Sequence, residues 1–207
     1  MKRILVLPVA IAAAATIALT GCSSSGSTHH TSSTSSGSST GAATSAVHNK
    51  ADVAFATDMI PHHAQAIEMA NMAATQAASS SVKSLAAAIK KAQDPEITEM
   101  SCWLKTWGQH VPSTSMSSAM GGMNIGGGTG MMSATDMAAL AHATGATFDR
   151  MWVTMMITHH QGAVSMATTE LGNGSNPDAK TLARSIISSQ NAQIEQMKTL
   201  LTQLPTK

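Results

Sequence analysis

Leu85, Ile89, Ile97, Met100 and Leu104 recur at intervals of three, four and eight residues, the spacing that lines one face of an α-helix. Leu182, Ile186, Ile194, Met197 and Leu201 repeat the pattern 97 residues later. The repeat extends upstream. Met59-Ile60-Pro61-His62-His63-Ala64-Gln65-Ala66-Ile67-Glu68-Met69-Ala70 aligns at the same offset with Met156-Ile157-Thr158-His159-His160-Gln161-Gly162-Ala163-Val164-Ser165-Met166-Ala167, with seven of twelve residues identical. Asp52 aligns with Asp149 and Gln93 with Gln190. Each half therefore opens with a His-bearing helix and closes with an amphipathic one. Short turns near Ala78–Ser81 and Gly172–Pro177 fold each half into an antiparallel hairpin. Pro61 and Pro95 fall inside helical patterns and read as tolerated kinks. The predicted fold is all-α, a four-helix bundle of two repeated hairpins over residues 51–107 and 148–204.

Between the halves, Pro112 to Met132 is rich in Gly, Ser and Met without apolar periodicity, and reads as a long exposed connection. Ser133-Ala134-Thr135-Asp136 has the form of a capping signal and predicts a short extra helix to about Thr144, across the bundle end. Upstream, Lys2 and Arg3 precede an apolar run from Ile4 to Leu19 that reads as an export signal over residues 1–21. Leu19-Thr20-Gly21-Cys22 has the form of a bacterial lipobox, so Cys22 is the predicted lipidated first residue of a membrane-anchored mature protein. Residues 22–50 read as a flexible tether, because Ser23 to Ala46 holds no large apolar side chain to offset the cost of ordering it. Lipidation takes Cys22 out of thiol chemistry and predicts a bundle without an intrachain disulfide, with Cys102 on the face opposite the amphipathic stripe.

Composition narrows the chemistry. Aromatics make up 2% of the chain against 43% hydrophobic residues, which disfavours a β-sandwich or barrel. Twelve basic and eleven acidic residues give a net charge of +1, too little excess to favour nucleic acid as a partner. The chain instead carries 16 Met and 9 His with no Tyr.

At 100° per residue, Met59, His62, His63, Ala66 and Met69 share one stripe of their helix, with Asp52 and Phe55 extending it, while Ala64 and Glu68 point away. Asp149, Trp152, Met156, His159, His160, Ala163 and Met166 share the matching stripe. A lone Met on such a stripe is usually core, but two adjacent buried imidazoles per helix are costly to bury without partners. A ferritin-like di-iron site would need a Glu three residues before the His, where this chain has Met59 and Met156. Thioether with imidazole suits copper, Cu(I) above all, and histidines alone can take Zn(II). The predicted metal ligands are Met59, His62, His63, Met69, Met156, His159, His160 and Met166, with Met116, Met120, Met123, Met131 and Met132 of the connection as a secondary thioether set. Asp52 and Asp149 read either as acceptors that orient a ligating His or as ordinary helix-start carboxylates. Because an imidazole must be deprotonated to bind metal, Cu(II) affinity is expected to fall below about pH 6, while thioethers keep part of the Cu(I) affinity.

Asp52-x-x-Phe55-x-x-x-Met59-Ile60-Pro61-His62-His63-x-x-Ala66-x-x-Met69-Ala70, Gln93-x-x-Glu96-Ile97-x-x-Met100 and the second Met156-Ile157-x-His159-His160-x-x-Ala163-x-x-Met166-Ala167 resemble the CopM-like family of exported bacterial proteins. The resemblance spans about Lys50 to Leu204. It implies a ferritin-like four-helix bundle that binds copper outside the cytoplasm and supports copper tolerance. No catalytic triad or nucleophile pairing stands in the chain. The expected function is a copper-binding lipoprotein on the outer face of a bacterial membrane that sequesters copper or passes it to copper-handling proteins. A copper-dependent oxidase or reductase and a metal-free cell-envelope interaction module are the alternatives.

Overall fold

A computed structural model of the chain describes residues 47–115 and 130–205. Cys22, the expected signal and most of the tether, and Met116, Met120 and Met123 lie outside the described residues. The described part holds five helices, α1 (Lys50–Gln76), α2 (Ser80–Thr106), α3 (Ala134–His142), α4 (Gly145–Asn173) and α5 (Pro177–Gln203). Local chemistry starts four of them. Asn49 caps α1 in a capping box with Asp52, Ser133 caps α3 in another with Asp136, Ser79 caps α2, and Asn176 caps α5 ahead of Pro177 in its first turn. Pro61 and Pro95 both lie inside continuous helices. None of the described helices is long and apolar enough to cross a membrane.

α1 and α2 form one hairpin, α4 and α5 the other, and the hairpins meet chiefly through the two His-bearing helices. α1 and α4 run antiparallel. The Trp152 indole N–H donates to Met69 O at 2.9 Å, His62 packs on His159, and Phe55 shares a groove wall with Met166, so residue numbers rise along one helix as they fall along the other. The extra helix α3 covers the end where α1 finishes, burying Met137 and Leu140, with Gln76 Nε2 donating to Ala141 O.

The aspartates at the repeat offset hold this arrangement together. Asp52 accepts from Ser175 N, Ser175 Oγ and Asn176 N as well as from Asn49 N. Asp149 accepts from Ala78 N at 3.1 Å and Ser79 N at 2.9 Å. Each therefore ties the start of one His helix to the turn of the opposite hairpin. Of the two readings open for these carboxylates, the helix-start one fits, enlarged by a clasp on the other hairpin; neither bonds a histidine among the described hydrogen bonds.

The apolar core is divided in two. One cluster holds Met69, Leu85, Ile89, Met132, Leu140, Phe148, Trp152, Met156, Ile194 and Met197. The other holds Phe55, Met59, Ile60, Met100, Trp103, Leu104, Leu182 and Ile186. Ile97 is only partly buried at the edge of the second. Ile89→Ala and Ile186→Ala should each cost about 3 kcal/mol in chemical denaturation, and Ile97→Ala markedly less, because a half-exposed site leaves little cavity. Cys102 lies half-buried on α2.

Candidate metal centre

The gap between the two clusters is polar and lies at the waist of the bundle. His62, His63, His159 and His160 are all at most 1% exposed there, with Gln93 and Gln190 each 2% exposed. The helical stripe therefore placed both His pairs inside correctly. The His62 and His159 rings, equivalent in the repeat, pack at a centroid distance of 3.7 Å with planes tilted by 36°. His63 and His160 lie outside them, each 6.4 Å from its helix neighbour. A pseudo-twofold axis thus passes through the central pair.

The outer rings are oriented from the second helix of each hairpin. His63 Nε2 donates to Glu96 Oε2 at 2.7 Å, and His160 Nε2 to Gln193 Oε1 at 2.7 Å. A neutral ring that donates from Nε2 keeps its lone pair on Nδ1. The Nδ1 atoms of His63 and His160 are buried without a hydrogen-bond partner, as are both ring nitrogens of His159. Gln93 Nε2 and Oε1 and Gln190 Oε1 are also buried and unpartnered, one turn before Glu96 and Gln193 on their helices. So many orphaned polar atoms in one layer are expensive for a purely structural core, and their chemistry fits the donor set of a metal site. An oriented imidazole with a bare nitrogen facing inward is the arrangement metal ligands adopt.

Burial and the neighbouring imidazoles hold His159 well below its ordinary pKa. His160 is held down to about 4, mainly by burial, with the Gln193 bond acting in the opposite direction. Proton competition at these two rings therefore sets in at lower pH than the ordinary histidine value implied, which moves the expected acid loss of Cu(II) binding downwards from pH 6. Among the described residues, no three His, Cys, Asp or Glu side chains stand together as a preformed metal cluster. The central rings present faces to each other, and lone pairs lie in the ring plane, so ligation requires the rings to turn.

The antiparallel register separates the methionines. Met59 and Met156 sit fully buried one turn from the histidines, on opposite sides of the layer. Met69 lies level with Trp152, and half-buried Met166 level with Phe55, about two turns from the layer. Met131 and Met132 end the connection between the halves, Met132 buried in the cluster that holds Met69 and Met156.

Two residues that periodicity did not flag are buried polar groups. Gln65, fully buried, bonds the backbone of Met132. Glu170, 1% exposed, faces the Asp52 carboxylate and has no other hydrogen-bond partner for its oxygens. Burial, the Asp52 bond and the Asp52 charge raise its pKa to about 8, with Lys180 opposing, so at neutral pH it is protonated and donates to an ionised Asp52. For Asp52 burial acts upward, but the hydrogen bonds from Asn176, Asn49, Glu170 and Ser175 outweigh it and its pKa is lowered. A Cβ on Gly174 would collide with the Glu170 carboxylate. The equivalent pair in the first repeat is Ala73 and Ala77, so carboxyl and niche occur together in one half only.

Residues 52–201 match the family described as a domain of unknown function, DUF305. Among solved structures, CopM in its Cu(II)-bound form is 40% identical, with a TM-score of 0.63, over 73% of this chain and 96% of that one. CopM in its Cu(I)-bound form is 37% identical, with a TM-score of 0.60, over 73% and 96%. A DUF305 protein from Streptomyces coelicolor, described as secreted, is 30% identical, with a TM-score of 0.65, over 74% and 93%. No curated protein matches significantly. The ferritin-like all-α bundle and the match across both repeats place the chain in the DUF305 family, among its CopM-like members.

Proposed function

We propose that this protein is an exported copper-binding protein whose cargo is held in the histidine layer. The observation that carries the reading is the row of buried, unpartnered ring nitrogens on His63, His159 and His160 where the core divides. One relative, CopM, solved with Cu(II), Cu(I) and silver bound, supports copper as the ion. His62, His63, His159 and His160 supply imidazole, and Met59 and Met156, one turn away, supply thioether for Cu(I). Met69, Met166 and the connection methionines serve as further soft donors on the route to the layer. The role is sequestration or delivery.

Equilibrium titration of Cu(II), Cu(I) and Zn(II) into the apo-protein tests this. The His62/His63/His159/His160→Ala variant should lose Cu(II) affinity by at least about 100-fold, since each imidazole contributes a primary ligand, while retaining part of its Cu(I) affinity through thioethers. Full Cu(II) binding by a folded variant refutes the histidine site.

Export and a lipid anchor at Cys22 belong to the same proposal, supported by the lipobox and by the secreted relative. The chain has two cysteines, so a lipid thioether at Cys22 and an intrachain disulfide at Cys102 exclude each other. Intact mass of the mature protein decides between them. Cys22→Ala should release the protein from the membrane into the aqueous phase; a disulfide-bonded, unlipidated mature form refutes the anchor.

A further inference from the structure

The two His helices differ where the chain crosses them. Gln65 aligns with Gly162 at the repeat offset, one position after Ala64 and Gln161. Both odd residues contact the same segment. Gln65 Nε2 donates to Met132 O at 2.9 Å, and Met132 N donates to Gln65 Oε1 at 2.7 Å, so the side-chain amide pairs with the strap as a neighbouring strand would. Two residues earlier, Gly130 lies on α4 with φ +73°, where a Cβ would come within 2.5 Å of Thr158 O and 3.0 Å of Gly162 Cα. Only glycine on both sides allows so close an approach.

These contacts fall at the level of the histidine layer. Gln65 is one turn from His62 on the same face of α1, and Thr158 and Gly162 bracket His159 and His160 on α4. The seam between the helices is lined here by the small residues Ala66, Gly162 and Ala163, all buried. The segment crosses that seam and carries half-buried Met131 and buried Met132, the latter in one cluster with Met69 and Met156. From Ser133 onward it is held by the α3 capping box.

We propose that residues 130–132 form a strap that closes the α1–α4 seam over the histidine layer, latched by Gln65, and that its opening sets the rate at which copper enters and leaves. This rests on the copper reading above. The central rings are at most 1% exposed, so an ion needs a path, and the seam under the strap is lined by the small residues Ala66, Gly162 and Ala163. The amide latch is reversible because two neutral hydrogen bonds exchange for water at little net cost. The strap also brings two thioethers to the opening, which suits a soft monovalent ion better than a hydrated divalent one.

Stopped-flow transfer of Cu(I) from the loaded, full-length protein to a chromophoric chelator, and uptake in the reverse direction, test the proposal. Gln65→Ala and, independently, Gly130→Ala should each raise both rates by about tenfold or more while changing the equilibrium affinity by less than about threefold, as loss of a latch bearing two hydrogen bonds requires. Gln65→Glu keeps the acceptor and loses the donor, and should fall between. Helical circular dichroism identifies folded variants, and the two single changes act through different contacts, so misfolding of one leaves the other to decide. Unchanged rates in a folded variant overturn the latch, as does a loss of affinity without a change in rate, which marks a merely structural strap. If the parent binds no copper, the histidine-site reading fails together with the latch; if the parent binds and only the rates are unmoved, the latch fails alone.

Discussion

The metal-free protein should be most stable near pH 6.5 and lose stability on both sides. The slope of unfolding free energy with pH follows the number of protons bound by the unfolded chain minus that bound by the native one. On the acid side His159 and His160 are held below the ordinary histidine value, so between about 4 and 6.5 the unfolded chain binds more protons and stability falls as pH falls. Glu170 works oppositely. Its native pKa of about 8 stands above the ordinary 4.5, so between those values the native state binds the extra proton, and stability falls as pH rises. Below 6.5 the two histidines outweigh Glu170; above 6.5 Glu170 acts without them.

The alkaline loss from Glu170, complete above pH 8, amounts to about 2 kcal/mol between 6.5 and 8, within a total on the order of 5 kcal/mol measured from 4.5. The acid loss from His160 alone is on the order of 3 kcal/mol by pH 4, with His159 adding in the same direction. Urea denaturation of the apo-protein across pH 4.5 to 9 measures the profile. Glu170→Gln, which keeps a donor for Asp52 and cannot ionise, should flatten the alkaline arm and leave the acid arm in place. An alkaline arm that survives this change refutes the carboxyl pair.

Asp52→Ala should destabilise the bundle by about 4 kcal/mol, more than Asp149→Ala. Removing Asp52 orphans Asn49 N, Ser175 N, Ser175 Oγ and Asn176 N together, while removing Asp149 orphans Ala78 N and Ser79 N. Each buried donor left without a partner costs about 1–3 kcal/mol before water reaches it. The larger loss also includes the α1 capping box. A second consequence separates a clasp from a simple cap. Without the Asp52 charge, the Glu170 pKa should fall back towards the carboxylate range, weakening the alkaline arm of the pH profile. Equal losses for the two aspartates, or an alkaline arm indifferent to Asp52, would contradict the assignment.

The helices, the hairpins, the twofold repeat and the inward direction of all four histidines were legible from the order of residues, because a period of 3.6 with caps at its ends specifies which face of a helix leaves water. Periodicity does not specify height along the bundle. Two inward residues of α1 meet the same neighbour only if the axial register of α4 puts it beside both, and α4 runs antiparallel. Repeat partners far from the axis are therefore carried to opposite ends. Met59 and Met156 look identical in the alignment yet lie in different core clusters, and Met69 and Met166 are drawn about two turns from the histidines they follow in sequence. Among the described histidines, His62 and His159, at the axis, meet as equivalents. The partners of Asp52, some 123 residues away, and of Gln65, 67 residues away, were decided by that same register, which brings one hairpin's turn and the end of the connection onto the other hairpin's helix. Sequence alone gave the donors and their faces, and tertiary packing chose which of them stand together, because the choice depends on the offset between two helices and not on the pattern within either.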